Sequence, residues 1–303
     1  MQDAPMAATG TRLDLTDLRI GAILNTASGQ CDAAAEAEIT QHLAAANPAF
    51  SRVWCGGPEE LAGYLEEAKE ERLDVLVVLG GDGTIRSAAE LADPEGPYLL
   101  PLPGGTMNML PTALYGARPW RDILRDTLAA PVLRNVSCGK IEEEEFYCAA
   151  LFGASTRLTA AREAVRDGAV GDALAIAGQV VAEAPTAVLT YEFGKKASGE
   201  AQTVAVTCPL VSDAMHPEEA VLEAAAFVTP GVGEALGIAV AGAFGTWRDD
   251  PNVVVAKADR ITLTNTEHIP ATLDGEQIML PETVRIEFVP QAFKAVVPES
   301  SLT

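Results

Sequence analysis

Positive charge is what this sequence most lacks: 21 Lys and Arg stand against 43 Asp and Glu in 303 residues, a net charge of −22. Such a chain repels phosphate backbones, so no nucleic-acid partner is expected, and it has no overall attraction to anionic lipid surfaces. Aromatics are scarce at 5%, and Trp54, Trp120 and Trp247 have no spacing that suggests a base-stacking platform. Five cysteines, Cys31, Cys55, Cys138, Cys148 and Cys208, form no CxxC pair and are odd in number. Free thiols in a reducing compartment fit that count better than a disulfide framework or a cysteine-built metal site. No apolar run reaches the roughly 18 residues of a spanning helix. The opening MQDAPMAATGTRLD shows no basic segment followed by an apolar core, so no signal peptide is expected. These absences point to a cytoplasmic protein whose contact with any membrane is peripheral and weak.

What is present is a large apolar share, 48% of residues, with Ala and Val prominent. The length suits two domains, and a chain of about 300 residues buries roughly 75% of its unfolded surface. The first third alternates strand-like and helix-like runs. Strands are expected at 19–24, 50–54, 74–79 and 98–102. Helices are expected at 32–47 with Asp32 as cap, from Pro58 to about 72, at 84–91, and from near Thr106. That rhythm predicts a parallel sheet with helices on both sides, a doubly wound nucleotide-binding α/β domain. It breaks after about Arg134. Helical stretches are expected near 158–166 and 171–184, followed by close-spaced strand-like runs such as AVLTYEF, TVAVTCPLV, NVVVA, RITLTN and TVRIEFV. These predict a C-terminal β-rich sandwich. The expected domains are therefore 1–134, with a tail 291–303 returning to it, and 135–290.

Four strings carry chemistry. LGGDGTI (79–85) lies where a buried strand hands over to a helix. Its glycines let the backbone approach a ligand, and the helix start offers N–H groups to a phosphate. Asp82 beside phosphates is repulsive unless a divalent cation bridges them, which implies Mg²⁺. PLPGGTMNML (101–110) repeats the strand–Gly-Gly–Thr–helix order. Two such turns at the carboxyl ends of neighbouring strands line one crevice, where open α/β sheets take ligands. NTASG (25–29) follows the first strand and supplies Asn25, Thr26 and Ser28 as hydrogen-bonding groups. LDGEQI (273–278) reads first as a hairpin turn. Its tip places the acidic side chains of Asp274 and Glu276 one residue apart, on one side of an extended strand, where either could take a proton from a hydroxyl. By contrast EEEE (142–145) follows a strand and reads as a solvated turn, and the 171–184 helix reads as core, while Arg162 and Arg166 share one helix face and either clamp a phosphate or pair with nearby acids.

LNTASG, GGDGT, PGGTMN and DGE, in this order, resemble the diacylglycerol kinase catalytic domain family, lipid kinases related to NAD kinases. The closing TVRIEFVPQAFKAVVP is similar to that family's end, so the resemblance spans roughly Ile20 to Pro298. It implies transfer of the γ-phosphoryl group of ATP, with Mg²⁺, to a lipid hydroxyl. By resemblance Gly80, Gly81, Asp82, Gly83 and Thr84 hold phosphates and metal, and Gly105 and Thr106 line the same crevice. Asn25 and Thr26 meet the nucleoside, and Asp274 is the base with Glu276 beside it. Arg86 and Ser87 stand where the family often has Asn-Glu, NTASG lacks the family's proline, and Ser155 stands where an acid is usual. Two rival readings remain: a binding protein of this fold without turnover, and a kinase for a soluble metabolite such as NAD. No TPTGSTAY-like string supports the latter.

Overall fold

The computed structural model describes residues 11–92, 95–153, 188–228 and 247–301. The expected helices near 158–166 and 171–184, with Arg162 and Arg166, and the position of Ser155 lie outside the described residues. The chain divides into two compact units, Met1–Ser137 with Pro290–Thr303, and Cys138–Val289.

The first unit begins with β1 (Arg19–Asn25), α1 (Ala35–Ala46), β2 (Phe50–Gly56), α2 (Leu61–Glu70) and β3 (Val75–Gly80). It continues through α3 (Asp82–Leu91), β4 (Tyr98–Pro103), α4 (Met109–Tyr115) and α5 (Trp120–Ala129). Its strands run parallel in the order β2-β1-β3-β4. All six residues of β3 are buried, the continuous apolar run of a central parallel strand covered on both faces. Four helix starts differ from expectation. Asp32 shapes the turn before α1, its Oδ1 accepting the Ala34 N–H at 3.0 Å, and does not cap the helix itself. Pro58 likewise lies in the turn ahead of α2, which begins at Leu61. The helix expected from Thr84 opens at Asp82, whose acidic side chain suits the positive end of a helix. The helix expected from Thr106 is two helices, α4 and α5, because 104–108 are spent on a turn and Gly116 ends α4 at φ 74°.

The strand ahead of the acidic run follows, β5 (Pro131–Ile141), which passes from the first unit into the second. The second unit then holds β6 (Glu144–Phe146), β7 (Ala149–Gly153), β8 (Leu189–Phe193), β9 (Ala197–Ala201), β10 (Thr203–Thr207) and β11 (Leu222–Phe227). After them come β12 (Val253–Ala258), β13 (Arg260–Thr264), β14 (Ile269–Leu273), β15 (Glu276–Leu280) and the start of β16 (Thr283–Pro298). Strands β12-β11-β10-β7-β14-β15 pair antiparallel in one sheet, and β13 pairs antiparallel with both β8 and the first half of β16. Alternate residues of both sets face one core. Phe152, Val204, Val206, Ala224 and Leu273 meet Leu189, Tyr191, Phe193, Ile261, Leu263, Val284 and Ile286 there. This is the β-rich sandwich. Glu142 and Glu143 of the acidic run form the β5–β6 hairpin tip, with Glu142 at φ 53°, while Glu144 and Glu145 begin β6.

β16 changes character along its length. Residues 283–287 alternate exposed and buried, as a half-buried antiparallel strand requires, whereas 295–298 are buried without a break. In that second half Ala295 pairs parallel with Leu99 of β4, and the Tyr115 hydroxyl donates to the Val296 carbonyl at 3.3 Å. The returning tail thus supplies the strand beside β4 in the first unit. Phe293 in this stretch is fully buried. Phe293→Ala should lower stability by about 3–5 kcal/mol; chemical denaturation that shows a loss below about 1 kcal/mol would mean the tail is only loosely held.

Candidate functional site

The candidate site of the first unit is built where β1, β3 and β4 end. Their three following loops touch one another through backbone. Gly104 donates its N–H to the Gly80 carbonyl at 2.8 Å, and Gln30 donates its N–H to the Gly104 carbonyl at 3.0 Å. A Cβ on Gly104 would lie 2.8 Å from Gly80 N and 2.9 Å from both Gly80 Cα and O; one on Gly105 would lie 2.7 Å from Gly81 Cα. Neither contact is with a side chain that can swing away. Glycine is needed here because two backbones pack face to face, in ordinary extended or helical φ, and not for a left-handed turn.

Side chains complete the contact. Asn25 Nδ2 donates to Thr84 Oγ1 at 2.9 Å, while its Oδ1 accepts the Ala27 N–H at 3.0 Å. Thr84 is buried, and its side chain fills the space that a Cβ on Gly80 would need. Thr84 thus ties the first loop to the second, where the sequence suggested a direct phosphate ligand. Thr26 is exposed, its N–H held by the Gly56 carbonyl at 2.9 Å, and Thr106, in the loop after β4, is exposed too. The N–H groups of Gly83 and Thr84, in the first turn of α3, have no acceptor within the helix. They and the helix dipole favour an anion.

Asp82 is more engaged than the sequence suggested. Its Oδ2 accepts the Asn108 N–H at 2.9 Å and its Oδ1 the Met109 N–H at 2.7 Å, so it binds the start of α4. Burial pushes its carboxyl above the ordinary value, against the opposing pull of those N–H groups. A cation nearby would offset that same desolvation. Among the described residues no three His, Cys, Asp or Glu side chains gather to hold a metal. A Mg²⁺ ion here would therefore take most of its ligands from phosphate oxygens and water, as that ion commonly does.

Two residues of this site escaped the sequence assignment although their strings did not. One is Gly104, the first glycine of its pair. The other is Asn108, which adopts φ 50°, ψ 47° and closes on Gly105 with two hydrogen bonds of 2.8 Å, Oδ1 accepting its N–H and Nδ2 donating to its carbonyl. An Asn three residues past a glycine pair is a usable turn signal.

Asp274 and Glu276 lie in the second unit. They do not share one side of an extended strand. Asp274 and Gly275 form the two-residue turn between β14 and β15, with φ 46° and 95°, the positive pair of a type I′ hairpin. Glu276 is exposed at the start of β15, whereas Asp274 is 7% exposed. The Asp274 carboxylate receives three backbone N–H groups, from Tyr147 at 2.6 Å, Cys148 at 2.9 Å and Ala149 at 2.8 Å. It fixes the turn between β6 and β7, a structural task the sequence did not reveal because its partners lie far back in the chain.

Residues 19–141 match the family model described as diacylglycerol kinase catalytic domain. The chain is similar to a solved structure described as "A putative diacylglycerol kinase from Bacillus anthracis str. Sterne", with a TM-score of 0.72 and 20% identity over 93% of this chain and 98% of that one. A second structure, "a putative diacylglycerol kinase" from the same organism, gives a TM-score of 0.70 and 21% identity over 92% and 97%. At such identity the likeness is one of fold. No curated protein matches the chain. The family resemblance drawn from LNTASG, GGDGT and PGGTMN thus holds over these strings, while DGE lies beyond the matched residues.

Two outcomes follow from this geometry. Gly104→Ala should cost about 1–3 kcal/mol through backbone overlap, whereas Gly81→Ala, whose Cβ would lie 3.7 Å from Gly105 Cα, should stay within about 1 kcal/mol. Equal melting temperatures for the two variants would show that the turns are not in contact. Asp274→Asn offers one acceptor oxygen where three N–H groups need two, and should lose at least about 2 kcal/mol. A melting curve that overlays wild type would release Asp274 from this structural role.

Proposed function

We propose that this protein is an ATP- and Mg²⁺-dependent lipid kinase that transfers the γ-phosphoryl group to the hydroxyl of a diacylglycerol-like lipid. The observation that carries the reading is the backbone contact between the two glycine turns, which opens α3 toward an anion beside the polar loop of Asn25 and Thr26. In this reading the Gly83 and Thr84 N–H groups bind phosphate oxygens. Gly80, Gly81 and Gly105 keep side chains out of the phosphate path, and Thr26 and Thr106 present exposed hydroxyls at its rim. Asp82 would hold Mg²⁺, which when bound supplies charge neutralisation of the phosphates. Phosphoryl transfer leaves a protein mainly positioning and electrostatic work, and this frame of fixed N–H groups suits that task. Asp274, with Glu276 next to its turn, is the proposed acceptor of the lipid hydroxyl proton. The acceptor lipid is met at a membrane surface through weak peripheral contact, in the cytoplasm. No helix among the described residues is long and apolar enough to cross a membrane.

One observation favours a second reading, a nucleotide-binding protein of this fold without turnover: the Asp274 carboxylate is already committed to three backbone N–H groups. Radiolabelled ATP with Mg²⁺ and a panel of hydroxyl-bearing lipids in detergent micelles, with NAD as a soluble acceptor, separates the readings. Label should pass to one lipid class, stop on addition of a chelator, and resume with excess Mg²⁺. Transfer to NAD alone would overturn the lipid assignment. Calorimetric binding of Mg-ATP with no transfer to any acceptor would establish the second reading.

A further inference from the structure

The two glycine turns differ in what their N–H groups have left to give. In the first, Gly83 and Thr84 open α3 without acceptors in the helix. In the second, four donors are consumed internally. The Gly104 N–H goes to the Gly80 carbonyl at 2.8 Å, the Gly105 N–H to Asn108 Oδ1 at 2.8 Å, and the Asn108 and Met109 N–H groups to Asp82 at 2.9 and 2.7 Å. The Gly104, Gly105, Asn108 and Met109 N–H groups are therefore not available to a phosphate. Its place, with Gly104 and Gly105 against Gly80 and Gly81, is behind the first turn as a support.

Asn108 organises that support from both directions. Its side-chain amide spans Gly105, accepting from the N–H and donating to the carbonyl, each at 2.8 Å, so the Gly105 peptides cannot rotate without breaking a bond. Its backbone N–H reaches Asp82 in the first turn of α3. Both connections depend on its left-handed backbone, φ 50° and ψ 47°, which asparagine tolerates better than other residues with a side chain. Aspartate at this position would keep an acceptor for Gly105 but lose the donor and set a second carboxylate near Asp82. Glycine would keep the backbone conformation and lose both side-chain bonds.

We infer that Asn108 is a positioning residue for the nucleotide phosphates, acting through Gly105 and Asp82 to hold the first glycine turn in its binding geometry. This rests on the proposed nucleotide-binding role of that turn. Asn108→Gly and Asn108→Asp are compared with wild type by ADP calorimetry, by kcat and KM for ATP, by melting, and by amide hydrogen exchange across 80–84 without ligand. For Asn108→Gly we expect the Kd for ADP and the KM for ATP to rise about tenfold, with kcat at saturating ATP within about threefold and melting shifted by only a few degrees. Exchange at 80–84 should accelerate. Asn108→Asp should also weaken ADP binding, and should do so even if the glycine variant fails to fold. Unchanged ADP affinity and unchanged exchange in a folded variant overturn the inference. If wild type binds no nucleotide, the proposed function falls, and exchange at 80–84 alone decides whether Asn108 orders the turn.

Discussion

The contact on which the first unit's site depends is between two stretches of bare backbone. Gly80 and Gly104 sit so close that no side chain fits between them, and a 2.8 Å hydrogen bond joins them. Everything nearby is arranged around that approach. Asn25 reaches across to Thr84, Thr84 fills the space above Gly80, and Asp82 binds the start of the next helix. Two neighbouring parallel strands always lie close, but they usually diverge once they leave the sheet. Here the glycines keep the chains in contact for two further residues, beside the N-terminus of α3.

The second unit is held by a different logic. Its two sheets close on one apolar core, and the large residues Phe146, Phe152, Phe193 and Ile261 sit in it with no exposure. One carboxylate buried near that core, Asp274, is there because three N–H groups of a tight turn point at it. Burial of a charge is tolerable when its hydrogen-bonding capacity is met by fixed donors. A hairpin tip, ordinarily the freest part of a sheet, is thereby pinned.

How much of this is legible in the sequence depends on whether the determinant is local. The parallel strands of the first unit follow from buried runs such as DVLVVL, and the glycine turns from GGDGT and PGGT, because strand, turn and helix signals lie within a few residues. The Asp-Gly hairpin was equally legible. The engagement of Asp82 by Asn108 and Met109, and of Asp274 by 147–149, was not, since each joins residues distant in sequence and no periodicity records it. The bounds of β5 are less legible, because PVLRNVSCGKI mixes the end of one pattern with the start of the next, as it passes from one unit to the other. The helix starts moved by a few residues, where caps and turns compete at similar energies.

The tail strand has a consequence for how the molecule is made. While the chain is being synthesised, β4 has β3 on one side and nothing in the parallel sheet on the other, because its second neighbour is β16, far along the chain. An unpaired, fully apolar strand edge is the kind of surface that joins other chains. Every residue between Leu99 and Ala295 must be made before the two can meet. Emergence from the ribosome exit, and not the speed of local folding, then sets the earliest moment at which the first unit can finish its sheet.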